Sequence, residues 1–215
     1  MNEKSLINTM TPAMPRNLIH CDVGARWGIG DPWKSFRAIL ECIRFEPDKE
    51  EFESLMENKS ANDMIYQYAL YRESKDISFH LTKSRGCSSL YKPNYDFLGN
   101  YPDPDRFEID DIIAVTATSL DVLYRDGVFS NMDFIKIDVQ GAELDILKGG
   151  EAFLRKHILG IEIEVEFQSL YKEQPLFSDV DIYIRESLAL QIQDLRKTYW
   201  KYPMGIRVGA MKGQL

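Results

Sequence analysis

Two apolar runs in this chain end in an acid and then a glycine. The first is Leu18-Ile19-His20-Cys21-Asp22-Val23-Gly24-Ala25-Arg26-Trp27-Gly28. The second is Asp133-Phe134-Ile135-Lys136-Ile137-Asp138-Val139-Gln140-Gly141-Ala142-Glu143. Open α/β sheets bind ligands at the carboxyl ends of their strands, so Asp22 and Asp138 stand where carboxylates would face a cofactor. Glycine after such a strand lets backbone approach a ligand without side-chain obstruction. The first loop is spaced Gly24-x-x-x-Gly28-x-Gly30, which departs from the dinucleotide pattern G-x-G-x-x-G and argues against a nicotinamide cofactor. A third acid, Glu46, ends the run Ile43-Arg44-Phe45, in the position that βαβ nucleotide sites use for a ribose acceptor. One carboxylate there accepts from both ribose hydroxyls. Together the three acids suggest a nucleotide-type cofactor site, with Asp138 the candidate catalytic base or orienting acceptor. Each also has a plain structural reading: a strand-to-helix turn for the glycine loop, a solvated strand end for Glu46, and a helix cap for Asp138.

Other chemistry-bearing groups are less concentrated. Ser84-Arg85-Gly86-Cys87-Ser88-Ser89 is small and polar, and can reach a carboxylate or an acceptor through its hydroxyls and Arg85, or serve as an ordinary hairpin loop. Glu162, Glu164 and Glu166 alternate with Ile161, Ile163 and Val165. Glu164 and Glu166 are near a strand's carboxyl end, so with Asp138 they offer an alternative, a magnesium-assisted reaction. His20, His80 and His157 are scattered and receive no role. Tyr199, Trp200 and Tyr202 form a late aromatic cluster suited to an acceptor pocket or to packing.

These groups need elements to position them. Strand-like runs fall at 18–23, 42–46, 64–71, 134–139 and 158–167. Asp31-Pro32 opens a helical pattern through Trp33, Phe36 and Leu40. Asp48 with Glu51 fits a capping box, Gly149 ends a helix begun near Ala142, Glu151 opens another, and Asp179 caps one using Val180, Tyr183 and Ile184. Strands alternating with helices predict a doubly wound, mostly parallel sheet with helices on both faces. Residues 76–118 break that rhythm. Ile77, Phe79 and Leu81 read as an amphipathic strand in a hairpin with 64–71, followed by a long functional or disordered loop from Lys92 to Asp111. Residues 1–16 read as a flexible arm and 17–215 as one domain.

Composition removes several classes. A net charge of −8 argues against nucleic-acid partners. No run of about 18 apolar residues is present, so no membrane span is expected. The amino end shows no apolar signal core. Cys21, Cys42 and Cys87 lack metal-ligand spacing, and Cys21 and Cys42 fit the core of a protein in the reducing cytoplasm.

Four segments resemble the FkbM-type methyltransferases: Cys21-Asp22-Val23-Gly24-Ala25-Arg26-Trp27-Gly28, Phe45-Glu46-Pro47-Asp48, Gly86-Cys87-Ser88-Ser89-Leu90, and Ile135 to Glu143. The resemblance spans about residues 17 to 202 and implies a Rossmann-like fold. It also implies S-adenosyl-L-methionine as cofactor, held by Asp22, Gly24, Ala25, Arg26, Gly28, Glu46, Pro47, Ser88 and Asp138. The implied reaction is O-methylation of a hydroxyl on a sugar, glycan or secondary metabolite, with the 92–111 segment at the acceptor pocket. A cofactor-binding domain without catalysis is the alternative from another class. Gln140 stands where the family often has Glu and is given no catalytic part. Family members add a strand after a segment like Lys212-Gly213-Gln214-Leu215, so the expectation is a chain lacking its last strand. The unpaired sheet edge would then favour a homo-oligomer.

Overall fold

The computed structural model describes residues 14–31, 33–199 and 211–214. Strand β1 (Leu18–Val23) leads through a 3-10 turn at Trp33–Ile39 to β2 (Leu40–Phe45), helix α1 (Lys49–Glu57) and β3 (Asp63–Tyr66). The chain then leaves the main sheet for β4 (Ala69–Leu70) and β5 (Lys75–Thr82). It continues through the short helix α2 (Tyr95–Leu98) to β6 (Ile109–Thr118) and α3 (Leu120–Arg125). It returns with β7 (Phe134–Ile137), α4 (Glu143–Gly149), α5 (Glu151–His157), β8 (Gly160–Glu166) and α6 (Phe177–Glu186), and β9 (Arg196–Tyr199) and β10 (Met211–Gln214) follow.

The main sheet runs β3-β2-β1-β7-β8-β10-β9. Its first five strands are parallel, and β10 is antiparallel to both β8 and β9. The winding direction reverses between β1 and β7. That pair is therefore the switch point of a Rossmann-like α/β fold, where a crevice opens. The sheet is buried on both faces, as parallel sheets generally are. On one side Cys21, Val23, Ile43, Phe45, Ile135 and Ile137 pack with Leu144, Ile146, Phe153 and Val180 from the helices. On the other, Leu40 and Cys42 pack with Trp33 and Phe36, and Ala25 packs with Leu55 and Ile65.

Several local expectations need correction. The 64–71 run is not one strand. Asp63–Tyr66 pairs with β2, whereas Ala69–Leu70 joins a separate three-stranded sheet of order β4-β6-β5. The amphipathic strand at 77–81 pairs antiparallel with β6, from Lys75 opposite Ala117 to Thr82 opposite Ile109, and not with 64–71. Ile113, Val115 and Ala117 supply the apolar face that covers Phe79 and Leu81. The 92–111 segment is ordered by its own side chains, with Leu98 and Phe107 packed on Leu170 and Tyr171.

The pattern opened by Asp31 forms a 3-10 turn that stops at Ile39, because Leu40 already belongs to β2. Pro32 lies outside the described residues. Asp48 does cap α1, accepting from Glu50 N at 3.1 Å, but Glu51 does not complete a box. Glu46 takes the Asp48 amide, and Glu51 turns to Arg26. Asp179 is not the cap of α6 but sits inside its first turn, its carboxylate accepting from Leu176 N at 2.8 Å.

The arm is pinned at its inner end, where Arg16 holds Asp133 through two hydrogen bonds of 2.7 and 2.8 Å. The outer edge of β8 carries β10, with Lys212 opposite Glu166 and Gln214 opposite Glu164. The side chains of Tyr199, Trp200 and Tyr202 lie outside the described residues. Among the described residues, no helix is long and apolar enough to cross a membrane.

Candidate active site

The carboxyl ends of β1, β2 and β7 converge on a cavity of about 460 Å³. Its sheet-side wall is Gly24, Glu46, Pro47, Lys136, Asp138 and Gln140, and its far wall includes Phe79, Arg85, Gly86 and Arg106 from the inserted region. Gly24 has φ +75°, and a Cβ there would overlap the carbonyl oxygen of Asp138. Glycine is therefore what lets β1 and β7 close against each other at the switch point. After β7 the chain turns at once through Gln140 (φ +62°) and Gly141 (φ +120°), a region glycine favours. Glu143 holds that turn, its carboxylate accepting from Val139 N and Gly141 N, and burial pushes its pKa up to about 7.

Of the residues singled out in the sequence, Gly24, Arg26, Gly28, Glu46, Pro47, Ser88 and Asp138 line this cavity. Asp22 and Ala25 do not. Asp22 is buried behind Lys136, whose Nζ lies 3.3 Å from its carboxylate, and Ala25 is core. Burial raises Asp22, and the Lys136 ammonium opposes that rise. Burial would lower Lys136 itself, but Asp22 and Asp138 hold it above its ordinary value. Lys136 Nζ is also 3.7 Å from Asp138, so one cation serves two carboxylates across the switch point. The sequence reading passed over Lys136, although a lysine inside an apolar parallel strand demands an acidic partner.

Glu46 is buried, and its Oε1 accepts the Asp48 amide at 2.9 Å. Burial pushes it up to about 7, against the lowering pull of that amide and of Arg26. Arg26 is occupied by Asp48 at 2.7 Å and Glu51 at 3.2 Å, so it braces the loop. The Ser84–Ser89 loop reaches the turn after β7, where Ser89 Oγ donates to the Gln140 carbonyl at 2.6 Å. Ser88 Oγ accepts from Thr82 N at 3.1 Å.

Gln140, which the sequence reading set aside, lines the same cavity. Its Nε2 donates to Asp138 Oδ1 at 2.8 Å and Glu164 Oε2 at 2.7 Å, and Tyr171 OH stands 3.4 Å from its Oε1. An amide thus occupies the space between the two carboxylates that the magnesium reading requires. Among the described residues, no three His, Cys, Asp or Glu side chains gather as a cation would need.

A sequence model of the methyltransferase FkbM domain matches residues 22–189. Over 156 residues the chain is 29% identical to the 2-O-methyltransferase NoeI of Sinorhizobium fredii (strain NBRC 101917 / NGR234), covering 68% of this chain and 61% of that protein. The crystal structure of methyltransferase FkbM from Methylobacillus flagellatus KT shares the fold, with a TM-score of 0.51 and 14% identity. That match covers 93% of this chain and 44% of the other. The chain thus spans less than two thirds of either relative's length. The family match takes in the glycine loop, Glu46 and the turn after β7, the same three segments that meet at the cavity, and the chain belongs to the FkbM methyltransferase family.

Proposed function

We propose that this chain is an S-adenosyl-L-methionine-dependent methyltransferase that acts on a hydroxyl of a sugar, glycan or secondary metabolite. One observation carries the reading: Glu46 and Asp138 open into one cavity on either side of the Gly24 loop. A cavity of about 460 Å³ is within the range of small-molecule sites. The donor set suits the cofactor. Glu46 offers a carboxylate to a ribose diol, Asp138 offers one to an ammonium, and Gly24 and Gly28 leave the wall free of side chains. When bound, S-adenosyl-L-methionine supplies a methyl group already activated by its sulfonium charge.

The residues of this chain then bind, orient and exclude water. Asp138 is held between the Lys136 ammonium and the Gln140 amide, which makes it an orienting acceptor more readily than a base. Gln140, at the same wall, fixes where Asp138 points. The relative named a 2-O-methyltransferase favours oxygen as the acceptor atom. The three cysteines are free and buried, which suits the cytoplasm.

Titration calorimetry with S-adenosyl-L-methionine, followed by a methyl-release assay on glycan and small-molecule hydroxyl acceptors, tests this. Saturable binding and label transfer to oxygen are expected. Absence of binding overturns the reading, and binding without transfer to any hydroxyl acceptor favours the non-catalytic alternative.

A further inference from the structure

The charges around the cavity are divided between its walls. Both lining carboxylates, Glu46 and Asp138, belong to the sheet side, where Lys136 stands close to Asp138. The remaining lining cations besides Arg26 are Arg85 and Arg106 on the inserted region and Lys34 after the glycine loop. The acidic neighbours of Arg85 and Lys34 are weak competitors. Arg85 meets Asp110 at 3.1 Å and Lys34 meets Asp31 at 3.8 Å, and both acids are more than half exposed, where ion pairs contribute little. Arg106 Nε donates to Cys87 Sγ at 3.2 Å, and its guanidinium lies 5.8 Å from the Phe107 ring centre. A cationic wall inside a chain of net charge −8 concentrates anions at that place. Guanidinium groups match the planar or tetrahedral oxygens of carboxylate and phosphate.

An aromatic shelf stands beside this wall. Trp27 lines the cavity, is 82% exposed and has φ +66°, a conformation that side chains other than glycine adopt rarely. Its ring lies over Gly86, where a Cβ would come within 2.9 Å of Cη2. A large ring held open to solvent in a strained loop points to a ligand face.

Resting on the methyl-transfer reading of this cavity, we propose that the acceptor is an anionic sugar, its ring on Trp27 and its phosphate or carboxylate on Arg85 and Arg106. The probes are glucose 6-phosphate, glucuronate and glucose, each titrated with and without S-adenosylhomocysteine while tryptophan fluorescence is followed. At low ionic strength one or both anionic probes should bind at least about tenfold more tightly than glucose, and added salt should weaken that binding. The phosphate and carboxylate arms decide which anion the wall takes. The double variant Arg85→Gln/Arg106→Gln should abolish the preference, Arg85→Lys/Arg106→Lys should retain part of it, and Trp27→Ala should weaken all three probes.

The proposal is overturned if the three probes bind alike, if the anionic ones ignore salt, or if a folded double glutamine variant binds as the wild type does. Should that variant fail to fold, the lysine variant and the salt titration decide. A protein that prefers anionic sugars but ignores S-adenosylhomocysteine contradicts the cofactor reading alone.

Discussion

Glu46→Gln separates a functional acid from a structural one. The Glu46 carboxyl is 3% exposed, and burial pushes its pKa from 4.5 to about 7. At ~1.36 kcal/mol per pH unit, that difference of 2.5 amounts to about 3 kcal/mol. The folded protein holds this proton more tightly than the unfolded chain. The group's stabilising contribution is therefore full below pH 4.5 and lost as pH rises through about 7. Glutamine keeps the shape and can still accept the Asp48 amide, but it does not ionise. Urea unfolding should find Glu46→Gln more stable than wild type by about 3 kcal/mol near pH 8, with the two close together near pH 4.5. Glu143 also titrates near 7, but it is common to both proteins and cancels in the difference.

Cofactor affinity should move the other way. Hydrogen bonds to a charged acceptor contribute roughly 1.5–3 kcal/mol each, so the variant should bind S-adenosyl-L-methionine at least about tenfold more weakly. Wild-type affinity should rise with pH through about 7, and the variant's should stay flat. A difference in stability that does not change with pH would refute the burial argument. Unchanged cofactor affinity would refute the ribose assignment.

Lys136→Met removes the cation shared by Asp22 and Asp138, and should cost roughly 3–5 kcal/mol in urea unfolding at neutral pH; a variant as stable as wild type would mean that water already screens the cluster. Asp138→Asn should keep the melting temperature and raise the cofactor dissociation constant with little change in the saturated rate, whereas a fall of about 10²–10⁴ in that rate would make Asp138 the base. If neither quantity moves, Asp138 has only a structural role. Gly24→Ala forces a side chain against the Asp138 carbonyl at φ +75°, so calorimetry should show lower thermal stability and no cofactor binding; a normal melt with tight binding would show that the β1–β7 junction yields.

The main sheet was legible because its parallel strands β1, β2, β7 and β8 carry buried apolar residues. All four are short runs, and the acid-glycine endings mark where β1 and β7 stop. The inserted sheet was not legible for the opposite reason. β6 buries only Val115, Ala117 and Thr118, and the exposed Asp110, Asp111 and Ile112 break any alternation at its start, so no strand is read there. Nothing local says that β5 pairs with a strand about thirty residues on instead of with its predecessor, because pairing of that kind is decided by long-range packing.

The site divides along the same line. Residues that backbone position brings to the cavity, namely Gly24, Glu46 and Asp138, could be read from their place at strand ends. Residues whose role depends on side-chain direction could not. Asp22 and Ala25 neighbour Gly24 in sequence yet do not line the cavity, because Lys136 covers Asp22 and Ala25, past the end of β1, packs on Leu55 and Ile65. Lys136 was hidden by the apolar run around it, although it is opposite Asp22 in register and two residues before Asp138. Desolvation would make a buried lysine costly, and a buried aspartate equally so; each is tolerable because the other is there. The two acid-glycine motifs are thus coupled electrostatically as well as by the strand pairing. The carboxylate of the first supports the lysine that faces the carboxylate of the second, so a change at Asp22, itself outside the cavity, should be felt at Asp138 through Lys136.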